Sequence, residues 1–106
     1  MTRVLLLGLL AAALSGAAAA AGDPATGRLK ATTCAVCHGA NGMGATPDAP
    51  HLAGQPAIYL AAQLRAFRSG ARKHEIMNVM AKPLSDDDVE HLAAWYSSLQ
   101  IEVKAP

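Results

Sequence analysis

The sequence predicts an all-α domain of about four short helices joined by long loops. Residues 56–69 and 85–99 each place apolar side chains three and four positions apart, the spacing that puts them on one face of a helix. No segment alternates apolar and polar residues as a half-buried strand would. Residues 39–55 are rich in glycine and proline, and an irregular loop of that length is usually functional. We therefore expect this loop to fold around another group.

Each helix of the N-terminal half has its own start or stop signal. Asp23 followed by Pro24 supplies an N-cap acid and a proline at the first helical position, so the first helix is predicted from Pro24 to about Thr33. Pro56 opens the second helix, and Gly70 is suited to the position just after its end.

The C-terminal half is predicted to hold two more helices. A short one covers residues 75–81 and is stopped by Pro83. Ser85 and Asp88 then match a capping box, and the helix that follows is predicted to reach about Leu99. Its apolar stripe comprises Val89, Leu92, Ala93, Tyr96 and Leu99, with Trp95 on the flank.

The first 21 residues have the organisation of an export signal. Arg3 gives a positive start, Val4 to Leu14 is an apolar stretch, and Ala17 to Ala21 offers small residues for cleavage. The sequence therefore predicts a cleaved signal peptide at 1–21 and a mature domain at 22–106, exported to a bacterial periplasm. An uncleaved membrane anchor is the alternative, but the apolar stretch is shorter than the roughly 20 residues that a span needs.

The charge balance excludes one class of partner. The chain has nine Lys and Arg against eight Asp and Glu, so removal of Arg3 leaves a net charge of zero with neutral histidines. A nucleic-acid-binding domain would normally carry a basic excess. Membrane insertion after cleavage of the leader is not expected either.

Both cysteines lie in one motif, Cys34-Ala-Val-Cys37-His38. C-x-x-C-H is the attachment pattern for c-type haem, in which two thiols add across the haem vinyl groups and the adjacent histidine lies under the iron. A redox-active cysteine pair is a weaker interpretation, because no βαβ pattern surrounds the motif. The motif could also be half of a zinc site, but the second pair of ligands is missing. A disulfide between the two cysteines would close so small a loop that it would add little stability. The motif therefore predicts one covalent haem c.

The residues offer several candidates for the second axial ligand. The candidates are Met43, His51, His74, Met77, Met80 and His91. Met43 follows His38 by only five residues, and His51 lies in the loop after Pro50, on the His38 side of the chain. His74 and His91 have the setting of solvated side chains. That leaves Met77 and Met80, one as ligand and the other as packing.

Longer stretches of the chain carry a family resemblance. They are C-A-V-C-H-G, P-H-L-A-G-Q-P-A-I-Y-L-A-A-Q-L-R-A-F-R-S-G-A-R, M-N-V-M-A-K-P-L-S-D-D-D and L-A-A-W-Y-S-S-L. Over residues 22–100 the chain resembles the small bacterial class I cytochromes c, in particular one domain of the dihaem two-domain cytochromes c. With a single C-x-x-C-H it is a monohaem relative. The resemblance implies a class I cytochrome c fold, with its helices and long loops wrapped around one covalent haem.

The resemblance also implies roles for individual residues. Cys34 and Cys37 would form the thioethers, His38 would be the proximal ligand and Met77 the distal ligand, which leaves Met80 as packing. The Pro50 carbonyl would accept a hydrogen bond from His38 Nδ1. The remaining carried-over positions are Leu52 on the haem face, Tyr59, Gln63 and Arg72 near the haem propionates, and Gly27 with Trp95 at a close crossing of the terminal helices.

The expected function is one-electron transport rather than catalysis, since the chain shows no nucleophile paired with a base. Expected partners are a membrane cytochrome complex, a terminal oxidase, or a periplasmic reductase or dehydrogenase. A docking rim could be formed by Arg65, Arg68, Arg72 and Lys73, unless these simply make a solvated helix face. The alternatives are a haem subunit held permanently by a larger oxidoreductase and, less favoured, a haem protein that binds a small ligand at an open sixth position.

Overall fold

Five helices make up the described part of the chain. The computed structural model describes residues 22–106, so the predicted signal peptide at 1–21 lies outside the described residues. The helices are α1 (Pro24–Lys30), α2 (Ala35–His38), α3 (Ala57–Ser69), α4 (Glu75–Ala81) and α5 (Asp86–Ser98), and no strand occurs in residues 22–106. The all-α prediction is confirmed. None of these helices is long and apolar enough to cross a bilayer.

The helix ends follow the predicted signals. The Asp23 side chain accepts a hydrogen bond from the Thr26 backbone N–H, and Gly70 closes α3 with φ 82° in the left-handed region. At α5 the Ser85 hydroxyl accepts from the Asp88 N–H while the Asp88 carboxylate accepts from the Ser85 N–H, each at 3.0 Å. The first helix ends at Lys30, three residues before the predicted end.

The core forms where α5 packs against α1 and α3. Its buried members are Ala31, Leu60, Ala61, Val89, Leu92, Ala93 and Tyr96. The predicted crossing of the terminal helices is present at Gly27, where an added Cβ would lie 1.9 Å from the His91 carbonyl oxygen and 2.8 Å from Trp95 Cβ. The absence of a side chain at Gly27 therefore makes room mainly for the α5 backbone and less for the Trp95 side chain.

Two of the four arginine and lysine residues that could form a docking rim are paired with acids of α5. Arg65 pairs with Glu90, and Arg68 pairs with Asp86 at 2.7 Å and donates to the Leu84 carbonyl at 3.1 Å. These two arginines link α3 to α5 and to Leu84, which lies just before α5 in the chain. Arg68 also holds the pKa of Asp86 below its usual value.

The capping box at α5 should have a measurable stability effect. Ser85→Ala removes the acceptor for the Asp88 N–H and should lower the free energy of unfolding by about 1 kcal/mol. Ser98→Ala is the matched control, since the exposed Ser98 hydroxyl bonds only to the Trp95 carbonyl within the same helix. Denaturant unfolding followed by circular dichroism measures both. If both variants lose the same free energy of unfolding, the capping box makes no specific contribution to stability.

Candidate cofactor site

The cysteine motif forms the short helix α2, which periodicity did not predict. Cys34 is the N-cap, and its carbonyl accepts from the backbone N–H of Cys37 at 3.3 Å and of His38 at 2.9 Å. One helical turn therefore holds both sulfur atoms and the imidazole in a single short segment. The two cysteines are half-buried free thiols, not joined as a disulfide.

His38 is held by a hydrogen bond that fixes its tautomer. The residue is only 9 % exposed, and its Nδ1 lies 2.9 Å from the Pro50 carbonyl oxygen. A carbonyl can only accept, so Nδ1 must carry the proton, and in a neutral ring Nε2 is then the unprotonated nitrogen. An imidazole oriented in this way is suited to bind a metal through Nε2. The contact that the resemblance implied between His38 and Pro50 is present.

The long loop closes around α2 through its own backbone. The Ala45 N–H donates to the Cys37 carbonyl at 2.7 Å, and the Gly54 N–H donates to the Tyr96 carbonyl of α5 at 2.9 Å. Gly42, with φ 76°, accepts from the Leu52 N–H at 2.7 Å. This loop brings Pro50 back to the helix that carries His38, although the two residues are 12 positions apart.

Cys34 lies beside the core in a low-polarity setting. It packs with Leu52 against the core cluster that includes Tyr96. Burial raises the pKa of the Cys34 thiol, and burial together with the nearby Cys34 raises the pKa of Tyr96. The Tyr96 hydroxyl is buried without a hydrogen-bond partner within residues 22–106. The surroundings therefore favour neutral, weakly polar groups, as a haem edge with a thioether would be.

The two methionines of α4 differ in burial. Met77 is half-buried, whereas Met80 is 40 % exposed and outside the core cluster. Neither methionine belongs to the core cluster around Leu92 and Tyr96. The Met77 backbone N–H donates to Nδ1 of His74, the N-cap of α4, at 3.2 Å.

The two histidines outside the motif and the N-cap of α4, His51 and His91, each accept a hydrogen bond from a backbone N–H group. His51 Nδ1 accepts from the Gly44 N–H at 2.7 Å. His91 is half-buried, and its Nδ1 accepts from the Asp23 N–H at 2.8 Å, a partner that the sequence did not predict. The pairing joins residues 68 positions apart, which no local pattern could indicate.

The residues expected near the propionates are only partly brought together. Arg72 donates to Gln63 Oε1 at 2.7 Å and lies over the Phe67 ring, 4.6 Å from its centroid. Tyr59 is 47 % exposed.

Within residues 22–106 no three His, Cys, Asp or Glu side chains converge to hold a bare metal ion, so the zinc alternative lacks a donor set.

Three comparisons place the chain among known proteins. The family model described as cytochrome c matches residues 25–100. The chain is 47 % identical over 81 residues to cytochrome c-554(548) of Halomonas halodenitrificans, covering 74 % of this chain and 98 % of that protein. It is 48 % identical to the thiosulfate dehydrogenase electron acceptor of Thiomonas intermedia, covering 94 % of this chain and 45 % of that one.

A solved structure agrees with the fold. Reduced recombinant cytochrome c4 from Pseudomonas stutzeri superposes with a TM-score of 0.71 at 39 % identity, over 76 % of this chain and 47 % of that chain. The chain thus spans about half the length of this protein and of the Thiomonas relative. The fold class predicted from the sequence is confirmed.

Proposed function

This chain belongs to the cytochrome c family, and from that premise we propose that it is a periplasmic one-electron carrier with histidine and methionine as axial haem ligands. The family implies a covalently bound c-type haem, and Cys34 and Cys37 fit its attachment motif. The observation that carries the proposal is the 2.9 Å bond between His38 Nδ1 and Pro50, which leaves Nε2 to bind iron.

Four side chains would hold the group. Cys34 and Cys37 would form the thioethers, His38 would be the proximal ligand and Met77 the distal ligand. The bound haem would accept one electron from a donor as its iron goes from ferric to ferrous, and would pass it to an acceptor on reoxidation. A thioether opposite an imidazole raises the reduction potential, which suits a carrier that feeds an oxidising acceptor.

The assignment of Met77 over Met80 is supported by α4 itself. Met77 is the more buried of the two, and its backbone is tied to the helix N-cap. Met80 is 40 % exposed. A half-buried side chain loses less conformational freedom on binding iron than an exposed one.

The haem environment has five further proposed members. Pro50 orients His38, and Leu52, which packs against the same core cluster as Cys34, contributes an apolar wall. Gln63 and Arg72, joined at 2.7 Å, place an amide and a guanidinium together as a site for propionate carboxylates. Tyr59 remains a weaker candidate for the same role.

Export is part of the proposal. Removal of residues 1–21 would leave residues 22–106 as the mature domain, in the compartment where a carrier of this kind meets its partners. Docking to such partners is transient and needs only a small interface.

A second candidate is a haem subunit bound to a larger oxidoreductase. It is favoured by the 48 % identity to a protein named as the electron acceptor of thiosulfate dehydrogenase. A dehydrogenase of this type is therefore a proposed electron donor for this chain, whether the contact is transient or permanent.

Size-exclusion chromatography of a native periplasmic extract separates these two functions. A carrier elutes at the mass of the mature chain alone, below the 10.9 kDa of the full sequence, at both low and high salt. A permanent subunit co-elutes with a large partner at high salt. In either case a potentiometric titration should give a single one-electron wave, and a titration without any reversible wave would contradict electron transport.

A further inference from the structure

The side-chain amide of Asn78 joins three separate backbone groups. Its Nδ2 donates to the Phe67 carbonyl at 2.9 Å and to the Arg72 carbonyl at 2.8 Å, and its Oδ1 accepts from the His74 N–H at 2.8 Å. Both amide hydrogens and the amide oxygen are therefore used. Nothing in the sequence pattern pointed to this residue.

The three backbone groups belong to different pieces of the chain. Phe67 lies in the last turn of α3, Arg72 in the connection that follows, and His74 is the N-cap of α4. Asn78 thus fixes the start of α4 relative to the end of α3. Asparagine is the residue that can do this, because aspartate lacks the two donors and glutamine is longer by one methylene.

Helix α4 depends on such external contacts. It has only seven residues, and a helix so short has little stability of its own. Met77 immediately precedes Asn78, so any rotation or slip of α4 moves the methionine directly.

We propose that Asn78 is the positioning residue that holds Met77 at the distal axial site. The inference rests on the proposed His38–Met77 ligation and deepens it. Asn78 acts through Met77 by locking α4 to α3, and it does not itself contact the metal.

Loss of the amide should therefore loosen the distal ligand more than it loosens the fold. Asn78→Ala removes all three hydrogen bonds. The population with Met77 away from its site should therefore rise by at least tenfold, which corresponds to about 1.4 kcal/mol.

A purely structural role for Asn78 is the competing explanation, and control variants address it. Ser85→Ala lowers stability through the cap of α5 and leaves α4 intact. Val79→Ala changes a neighbouring side chain of α4 that is 70 % exposed. Neither should change ligation by Met77.

The test uses the full haem-loaded protein. Two signals are measured: the weak near-infrared band of a thioether bound to ferric iron, and the rate of CO binding to the ferrous protein. Asn78→Ala should weaken the band and raise the CO rate about tenfold, while Ser85→Ala and Val79→Ala match the parent. Asn78→Asp, which keeps the acceptor and loses the donors, should act in the same direction and serves if the alanine variant fails to accumulate.

Two results would overturn the inference, and they are distinguishable. If Asn78→Ala and Asn78→Asp lose stability as Ser85→Ala does but keep the parent band and CO rate, Asn78 is structural only. If Met77→Ala also retains the near-infrared band, the ligand assignment itself fails.

Discussion

Replacing Met77 by alanine is expected to produce a ferrous protein that binds CO and a reduction potential lower by the order of 0.1 V, well inside the range of about 0.8 V that axial ligands span. The methyl side chain of alanine cannot reach or bind iron, so the ferric state loses the electron-poor thioether that disfavoured it. Visible spectra with and without CO, and a potentiometric titration, measure the two effects.

Met80→Ala is the matched control for that experiment. Met80 lies three residues further along the same helix and is 40 % exposed, so its truncation should cost less than about 1 kcal/mol of stability. The spectrum should be that of the parent. If Met80→Ala alone gives the CO-binding form, Met80 and not Met77 is the distal ligand.

Gly27→Ala should cause the largest loss of stability, about 2–3 kcal/mol. The new Cβ would lie 1.9 Å from the His91 carbonyl oxygen, which belongs to the α5 backbone and cannot rotate away as a side chain can. The α1–α5 packing must open to accept the methyl group. Denaturant unfolding measures the change.

The sign of the Gly27 effect discriminates between two physical explanations. Helix propensity alone would make alanine more stable than glycine by about 1 kcal/mol. Leu29→Ala, at an exposed position of the same helix, should stay within about 0.5 kcal/mol of the parent. A Gly27→Ala protein as stable as the parent would mean that the helices do not cross as closely as the structure indicates.

Local signals were enough to predict most of the helices. The capping residues Ser85 and Asp88 predicted the start of α5, and the short helix predicted over residues 75–81, before Pro83, is α4. The short helix α2 was missed, because four residues are too few to show a 3.6-residue period.

The contacts that the sequence did not predict join residues distant in the chain. His91 looks solvated within its own helix, and only the arrival of the α1 N-terminus gives it a backbone donor. Arg65 and Arg68 look like a basic surface until α5 brings Glu90 and Asp86 against them. Such pairings depend on tertiary packing, which overrides local pattern.

The site divides in the same way. The motif of Cys34, Cys37 and His38 is contiguous and was recognised directly, whereas the Pro50 contact came only from family resemblance. The bonds of Asn78 span three chain segments and left no local signature. The resemblance supplied Met77, and the exposure of Met80 supports that choice.

The central claim is a covalent haem with both axial positions filled by the protein. The visible spectrum of the reduced, exported protein, recorded before and after addition of CO, tests it most directly. We expect the spectrum of a c-type haem that CO does not change. A c-type spectrum that shifts with CO would contradict ligation by His38 and Met77 together, and the absence of haem bands in protein from cells able to attach haem would contradict the cofactor itself.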